Sequence, residues 1–460
     1  MKRFRTCSLD QPLLVPPSLQ EWLPENHLAR FIAEVVEELD LSAMLAHHGR
    51  KDGRGQAAYH PAMMVRLLLY GYAVGVRSSR KIEAATYESV AFRYLAADQH
   101  PDHAVIADFR TRHLEELQQL FFTGLQLCQK AGLVKVGQIA IDGTKLAANA
   151  SRQQSRSYER LSEKEKELFA EVERLLQAAA ATDAQEDAEF GKRKRDEPLP
   201  EPLKTTQQQL AKISAAKAEL EREARQKAEQ AEREKIEQKG KPKDEAQKKR
   251  WQRARSDVPS DQQGNLTDPE SRLMLDGGTK AFVQGYNAQV AAAGVPQIIV
   301  AQAVTQESND HQQLIPMLQQ TEQNVGWVPT LTTADAGYWS EDAMTRLQAD
   351  QRDVLVPPDG DKSKRTGELA ANAPRGPMAQ QMRQRLADPQ QRQRYRKRSG
   401  MVEPVFGLLK EILGYRRFLL RGLEKVRGEW SLMCTAFNLR KQFLYRPGAN
   451  GKNEPAHSPA

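Results

Sequence analysis

Residues 134–143 read VKVGQIAIDG, and residues 327–336 read WVPTLTTADA. Both stretches are short apolar runs that contain β-branched residues, a composition typical of buried strands rather than of helices. Each run leads into an aspartate, Asp142 in the first and Asp335 in the second, and a small residue follows each aspartate. We therefore predict two strands that stop at Asp142 and at Asp335.

Other strands and helices are predicted around these two runs. Apolar or alternating runs at 281–283, 286–292 and 297–304 predict antiparallel strands, and Gly-Val-Pro at 294–296 indicates a hairpin between the last two. A helix is expected over about 310–321, with Asn309 or Asp310 as its N-cap. Because strands and helices then alternate, we predict a mixed α/β fold for 133–150 and 257–445.

The first 132 residues predict an all-helical domain. Pro61 is placed like a first-turn proline before an apolar helix. Helices predicted near 80–90 and 104–120 flank a short polar turn, which is compatible with a helix-turn-helix, although the spacing alone favours an ordinary helical bundle. Arg110 and Arg112 lie on the second of these helices, and they are the first candidates for contact with DNA phosphate.

Residues 151–256 form a charged insertion in the predicted fold. Glu, Lys, Arg, Gln and Ala dominate it, while Leu161, Leu168 and Leu175 recur every seven residues. This pattern predicts a long, weakly coiled helical hairpin that contributes little to the core. The link near 191–202 and the tail at 446–460 are expected to be disordered.

Charge and cysteine content narrow the class of protein. Lys and Arg number 68 against 60 for Asp and Glu, a net charge of +8 that suits DNA but is also compatible with simple solubility. The three cysteines lie far apart without zinc-ligand spacing, and no apolar run is long enough for a signal peptide or a membrane span. We therefore expect a reduced, cytoplasmic protein without a zinc finger.

Carboxylates at strand ends indicate a site for divalent cations. In an α/β sheet, side chains at strand ends point into the crevice where ligands bind. Phosphoryl transfer often uses two hard cations, about 3.5–4 Å apart, that are held by carboxylate oxygens. Asp142 and Asp335 are candidate ligands for such ions, although a single strand-end aspartate is more often a simple turn former.

A third candidate acid, Glu403, lies near the start of the C-terminal helical region. Lys410 follows seven residues later, within about 20° of Glu403 on an ideal helix. One face would then present a carboxylate for metal and an ammonium for phosphate, but a solvated Glu–Lys pair explains the spacing equally well. Pro404 suits a first helical turn, which would place Glu403 near the start of that helix or at a kink.

The combined motifs resemble the DDE transposases of bacterial insertion sequences. They are IAIDGTK at 139–145, TADAGY at 333–338, and Tyr395, Arg398, Glu403 and Lys410, and the last set resembles the branch with a Tyr-Arg-Glu-Lys signature. The likeness covers most of residues 1–445, apart from much of the charged insertion. One spacing departs from that branch, because four residues rather than three separate Arg398 from Glu403.

This resemblance implies a fold and a set of site residues. The fold would be an RNase H-like core, and Asp142, Asp335 and Glu403 would bind two Mg²⁺ or Mn²⁺ ions. Lys410 would act at the catalytic site near DNA phosphate, and Tyr395 and Arg398 would match the signature residues that bind DNA. Because of the altered spacing, Arg396 competes with Arg398 for the role of the signature arginine.

The resulting hypothesis is a DNA transposase that cleaves phosphodiester bonds at element ends and joins the 3′ ends to target DNA. Its partners would be terminal inverted repeats and target DNA, bound by a homodimer on paired ends. It would act in the bacterial cytoplasm at the nucleoid. An RNase H-like nuclease without strand transfer and a catalytically decayed DNA-binding protein are the two alternatives.

Overall fold

A computed structural model describes residues 18–47, 58–135, 137–190, 201–239, 257–358 and 373–446. The chain divides into two compact units. Unit 1 comprises 1–135, 295–299 and 431–460, and unit 2 comprises 136–294 and 300–430. The predicted disorder near 191–202 and at 446–460 falls almost entirely outside the described residues. Within the described residues, no helix combines the length and the apolar character needed to cross a bilayer.

The N-terminal segment of unit 1, residues 1–135, is helical in its described part. Its helices are α1 (Leu19–Trp22), α2 (Leu28–Glu37), α3 (Ser42–His47), α4 (Pro61–Ala73), α5 (Ser79–Glu88), α6 (Val90–Leu95), α7 (His103–Arg112) and α8 (Leu114–Lys130). Pro61 occupies the first turn of α4, as predicted. The helix predicted over about 104–120 is instead two helices, divided at His113. The His113 side chain is fully buried and packs 4.6 Å from the Phe109 ring, so apolar packing at this break accounts for the division.

Unit 2 is built on a six-stranded mixed sheet. Its strands are β1 (Gln138–Ala147), β4 (Arg272–Leu275), β5 (Phe282–Ala293), β6 (Ile298–Thr305), β7 (Leu331–Thr333) and β8 (Val354–Leu355). The order is β4-β5-β1-β7-β8, and β6 also pairs with β5. Strand β1 runs antiparallel to β5 and parallel to β7, and β7 runs parallel to β8. The mixed α/β fold and the pairing of the predicted β5–β6 hairpin are thus confirmed.

Strand β1 extends beyond the point where the sequence predicts its end. It continues through Asp142 to Ala147, because residues 143–147 keep pairing with residues 285–289 of β5. The prediction that this strand stops at Asp142 is therefore wrong, and Asp142 lies in mid-strand opposite Val290. Strand β7 ends at Thr333, two residues before Asp335, close to the predicted position.

The remaining helices of unit 2 follow the sheet. They are α11 (Leu314–Val325), α12 (Glu341–Ala349), α13 (Pro377–Ala387) and α14 (Pro389–Gly407), and α15 (Leu423–Tyr445) begins in this unit. Helix α11 begins at Leu314, so neither Asn309 nor Asp310 is its N-cap. Pro404 lies inside α14 rather than in its first turn, and a π-helical turn (Leu408–Ile412) follows directly. Proline lacks the backbone N–H that would form the α-helical hydrogen bond at position 404. This explains the irregular hydrogen bonding near the end of α14.

The charged insertion contains the expected pair of long helices, α9 (Tyr158–Phe190) and α10 (Glu201–Lys239). The short paired strands β2 (Ser155–Ser157) and β3 (Gln263–Asn265) flank this helical pair. The apolar stripe forms a buried cluster of Leu161, Leu168, Ile213, Ala216 and Leu220. Val258 and Leu266, which come after the insertion, pack against this cluster. The proximal half of the hairpin therefore shares a core with the rest of unit 2, which the sequence analysis does not anticipate.

Buried ion pairs also tie α10 to the sheet. Arg272 of β4 donates from Nε and Nη2 to Glu223 at 2.9 and 2.6 Å, and its Nη2 lies 3.6 Å from Glu219. All three side chains are about nine-tenths buried. The hairpin is thus anchored by charge as well as by apolar contact.

Candidate active site

A cavity of about 710 Å³ lies where β1 passes the end of β7. Its walls come from separate parts of unit 2, and the chemically distinctive lining residues are Asp142, Lys145, Asp276, Asp310, Asp335 and Lys410. The sheet topology explains this convergence, because β1 and β7 are parallel neighbours and residue 140 pairs with residue 333. Asp142, within β1, and Asp335, just after the end of β7, each follow this pair by two residues and therefore lie near each other.

Asp142 is held by a positive charge and by a backbone amide. Arg398 Nη1 of α14 donates to its Oδ2 at 2.9 Å, and the Gly143 N–H donates to Oδ1 at 2.8 Å. Burial raises the pKa of Asp142 to about 6, Arg398 opposes that rise, and the nearby Asp335 adds to it. Burial disfavours the ionised form of this carboxyl group. A cation that binds beside it, in addition to Arg398, would therefore stabilise that ionised form.

Asp335 lies in a loop directly after β7. It caps the short 3₁₀ turn Ala336–Tyr338, and its Oδ1 accepts the Gly337 N–H at 2.9 Å. A side chain on Gly337 would approach Asp335 Oδ1 to 3.0 Å, so glycine keeps the backbone close to the carboxylate. This turn fixes the Asp335 carboxylate at the cavity wall.

A third acid at the cavity is Asp310, which the sequence analysis treats as a helix cap. Its Oδ1 accepts from Asn287 Nδ2 and Gln289 Nε2, each at 2.6 Å, and lies 3.5 Å from Lys145 Nζ. Asn287 and Gln289 are fully buried on β5. Two amides at alternating positions of a mostly apolar strand are the signal that the sequence prediction missed, because the side chains at i and i+2 share one face.

Tyr338 lies within electrostatic range of the three aspartates. Its hydroxyl donates to Gln289 Oε1, and its side chain is fully buried. Burial raises the pKa of Tyr338 far above its usual value, and Asp310, Asp142 and Asp335 each add to that rise. The hydroxyl thus remains a neutral donor at the point where the negative charges of the three acids converge.

The end of α14 and the turn after it bring Lys410 to the same cavity, whereas Glu403 is exposed and is not among the lining residues. Burial lowers the pKa of Lys410, and the nearby Asp276 carboxylate opposes that shift. The described structure therefore unites Asp142, Asp335 and Lys410 but places the Glu403 side chain outside the cavity wall.

The other predicted contact residues have different surroundings. Tyr395 is half-buried on α14 beside Arg398, and Arg396 is exposed. In unit 1, Arg110 is buried and donates to the Tyr72 hydroxyl and to the Arg77 carbonyl at 3.2 and 3.3 Å. The prediction that Arg110 contacts DNA phosphate is thus not supported, because an interior guanidinium that is already hydrogen-bonded does not reach a surface ligand.

Arg112 differs from Arg110 in its exposure. Its side chain is 53% exposed and pairs with the equally exposed Asp108 at 2.6 Å. Such surface pairs exchange readily with other ionic partners because solvent screens them. Of the two arginines, only Arg112 is accessible at the surface.

The donor set of the cavity fits a hard divalent cation in its chemistry. Carboxylate oxygens are the ligands that Mg²⁺ and Mn²⁺ prefer, and Asp142 and Asp335 supply them from two adjacent chain segments. Among the described residues, however, no group of three or more Asp, Glu, His or Cys side chains is already arranged around a single metal position. Two acids therefore fit the ion directly, and a third ligand requires a side chain to turn toward them.

Two family models match the chain. A model described as "Transposase domain (DUF772)" matches residues 17–112, and a model described as "Transposase DDE domain" matches residues 257–439. The second match includes Asp310, Asp335, Glu403 and Lys410, whereas Asp142 and the charged insertion lie outside both matches. Neither the curated proteins nor the solved structures contain a significant match to the chain.

Proposed function

Because the chain belongs to the DDE transposases of insertion sequences, we propose that it cuts DNA at the ends of its element and joins the 3′ ends to target DNA. The observation that carries this proposal is the meeting of Asp142 and Asp335, from separate chain segments, at one cavity that also contains Lys410. Family membership supplies the action on DNA and the use of divalent metal.

The proposed chemistry needs no covalent bond between protein and DNA. Two bound Mg²⁺ or Mn²⁺ ions would activate the attacking oxygen and stabilise the leaving oxygen. Water first attacks the phosphodiester and releases a 3′-hydroxyl, and that hydroxyl then attacks a phosphorus atom of the target strand and displaces its 3′ oxygen. The protein holds both reactants in line, which is the main contribution that residues make to phosphoryl transfer.

Individual residues have distinct proposed roles. Asp142 and Asp335 bind metal, and Glu403 is retained as the third metal ligand, since α14 carries it on the same stretch of chain as Lys410. Arg398 holds the Asp142 carboxylate in place through its 2.9 Å bond. Lys410 faces the cavity and contributes positive charge beside the phosphate that reacts.

Strand order supports an RNase H-like core for this unit. The first strand, β1, lies in the middle of the sheet, antiparallel to β5 and parallel to β7, with β8 beyond. This arrangement places the first acid on the central strand and the second beside it. We propose that unit 2 is that core, with the α9–α10 hairpin as an insertion between β1 and β4.

A strand-transfer assay tests the proposed function. The purified protein, Mg²⁺ and duplexes that carry the sequences flanking its gene are incubated with a supercoiled plasmid. We expect the protein to nick these duplexes at the element ends. The 3′ ends released by the nick should then become covalently joined to the plasmid. Cleavage without joining identifies a nuclease instead, and the absence of cleavage with either Mg²⁺ or Mn²⁺ refutes the catalytic proposal.

Unit 1 is proposed to bind element ends, with Arg112 at a phosphate. Each phosphate contact contributes about 0.9 to the slope of log affinity against log salt concentration. Arg112→Ala should therefore reduce that slope by about 0.9 and weaken binding to end DNA, measured by fluorescence anisotropy between 50 and 200 mM salt.

Arg110→Ala is the matched comparison from the same helix. Because Arg110 is buried against Tyr72, its replacement should lower the melting temperature of the protein and leave the salt slope of the folded fraction unchanged. An unchanged slope in Arg112→Ala would remove this arginine from the DNA contact. The proposed homodimer on paired ends is measured in the same samples by light scattering with and without end DNA.

A further inference from the structure

Asp310 lies at the same cavity as Asp142 and Asp335, yet no sequence motif assigns it a role. It follows β6 by five residues and precedes α11, so a loop carries it rather than a helix. Its carboxylate is 20% exposed, which leaves it open to the cavity while most of its surface is covered.

The hydrogen bonds of Asp310 orient one oxygen and leave the other available. The three contacts from Asn287, Gln289 and Lys145 all end on Oδ1. Among the described residues, Oδ2 has no hydrogen-bond donor of its own. Because the amides fix Oδ1, the second oxygen is held in one direction before any ligand arrives, which lowers the entropy lost on binding.

Oδ2 faces the loop that carries Asp335. A Cβ atom built on Gly337 would lie 3.6 Å from Asp310 Oδ2 and 3.0 Å from Asp335 Oδ1. These two oxygens are therefore no more than the sum of those distances apart, 6.6 Å. Two ions separated by about 3.5–4 Å, each bound at 2.0–2.6 Å, span a gap of that size.

Asp310 also lies beside the residue that follows Asp142. A Cβ atom built on Gly143 would approach Asp310 Oδ1 to 3.0 Å and Gln289 Nε2 to 2.4 Å. Because Gly143 has no side chain, the backbone next to Asp142 packs directly against the Asp310 network. The Asp310 carboxylate thus lies against the stretch of β1 that carries Asp142.

Burial of the two supporting amides is costly unless their hydrogen bonds are satisfied. Asn287 and Gln289 occupy positions in β5 where neighbouring residues are alanine, valine and tyrosine, and both amides are directed at Asp310. An apolar core at these positions would need no such network. The arrangement instead fixes the orientation of a carboxylate at the cavity, and carboxylate oxygens are ligands that divalent cations prefer.

We propose that Asp310 is a further catalytic carboxylate that binds divalent metal together with Asp142 and Asp335. This inference rests on the proposed function, since it assigns one more ligand to the same site. It does not replace Glu403: the two acids approach the cavity from different elements, the β6–α11 loop and α14.

Metal binding by the whole protein tests this assignment directly. Titration with Mn²⁺, followed by electron paramagnetic resonance in the absence of DNA, should show at least about tenfold weaker binding for Asp310→Asn than for the wild type. Asp276→Asn is the matched control, because Asp276 lines the same cavity but its carboxylate is bonded within its own turn. Equal affinity for wild type and Asp310→Asn would overturn the assignment.

A cysteine variant separates a ligand from a purely structural residue. Thiolates bind Mn²⁺ and Cd²⁺ better than Mg²⁺, so Asp310→Cys should lose cleavage with Mg²⁺ and regain part of it with Mn²⁺ or Cd²⁺. A residue that only supports the fold would not change the metal preference. Loss of cleavage with all three ions, in a variant that melts like the wild type, would count against Asp310.

The same titration distinguishes failure of this inference from failure of the proposed function. If Asp142→Asn and Asp335→Asn weaken Mn²⁺ binding but Asp310→Asn does not, only the role of Asp310 is refuted. If none of the three variants changes Mn²⁺ binding, the cavity is not the metal site, and both proposals fail.

Discussion

Replacement of Asp142, Asp335 or Glu403 by alanine is expected to abolish Mg²⁺-dependent cleavage while DNA binding is largely retained. The loss of one ion's stabilisation of the transition state costs several kcal/mol, which corresponds to a rate decrease of about a thousandfold or more. Cleavage of end DNA under single-turnover conditions measures this rate, and a gel-shift titration with the same DNA measures binding.

Asp142→Asn and Asp335→Asn should reproduce the loss with little change in shape. The asparagine variants matter at Asp142 because alanine would also leave Arg398 without its carboxylate partner. Asparagine keeps an oxygen for that guanidinium but removes the negative charge. Equal losses in Asn and Ala variants would therefore identify charge, rather than local packing, as the property that the reaction requires.

Glu411→Ala is the matched control for the acidic residues. Glu411 also lines the cavity, but its side chain is 65% exposed and is paired with Arg416. We expect the decrease in cleavage rate in Glu411→Ala to be at least about a hundredfold smaller than in the other three alanine variants. An ion pair exposed to solvent contributes little. Near wild-type cleavage in any one of the three alanine variants would remove that residue from the mechanism.

Glu403 is the most informative of the three substitutions. The Asp142 and Asp335 carboxylates already face one cavity, whereas Glu403 is exposed on α14 outside the lining residues. If Glu403→Ala abolishes cleavage, the end of α14 must move or rotate when DNA and metal bind. Helical hydrogen bonding is irregular from Pro404 to the π-turn Leu408–Ile412, so we expect the movement to occur in this stretch.

The sequence predicted the two aspartates because short apolar runs mark buried strands independently of distant contacts. Their convergence follows once β1 and β7 are parallel neighbours. The end of β1 was not predictable in the same way, because residues 143–147 remain in a strand only through pairing with β5. A local sequence pattern predicts that a strand exists, whereas the length of the strand depends on pairing with residues far away in sequence.

The role of Asp310 and the burial of Arg110 were hidden for a similar reason. An Asn-Asp pair before an apolar helix favours a cap on local grounds, but the fully buried Asn287 and Gln289 draw the Asp310 carboxylate to the sheet instead. Arg110 shares a short helix with the exposed Arg112, so composition alone does not separate them. Which of the two faces the interior is decided by the packing of α7 against Tyr72.

The largest expected effect on stability concerns Arg272, the β4 residue that anchors α10. Arg272→Ala should lower the free energy of unfolding by about 1.5–3 kcal/mol, because Glu219 and Glu223 would lose their most buried cation and would keep only Arg222 and Lys227, which are about half exposed. Urea denaturation followed by circular dichroism measures this change. A variant that reached the same stability as the wild type would show that solvent reaches these carboxylates.

Arg174→Ala, in the hairpin that Arg272 anchors, provides the control. Arg174 binds Glu171 through Nε and Nη2, the same two donors that Arg272 directs at Glu223, but its side chain is 70% exposed. Exposed pairs contribute between about 0 and 1 kcal/mol, so this variant should be close to the wild type. Both arginines use Nε and Nη2 to contact a glutamate, and they differ most in their burial.

The buried cluster and the Arg272 ion pairs limit how far the insertion can be shortened. Removal of residues 177–204, with a short Gly-Ser linker in their place, leaves Leu161, Ile213 and the Glu219–Glu223 segment intact, so the melting temperature should fall by no more than about 4 °C. Arg272→Ala in this shortened protein should cost as much as in the full chain, because its partners lie in the retained half of α10. A much smaller cost would mean that the distal half of the hairpin is needed to hold Glu219 and Glu223 against the sheet, and that the two halves fold as one unit.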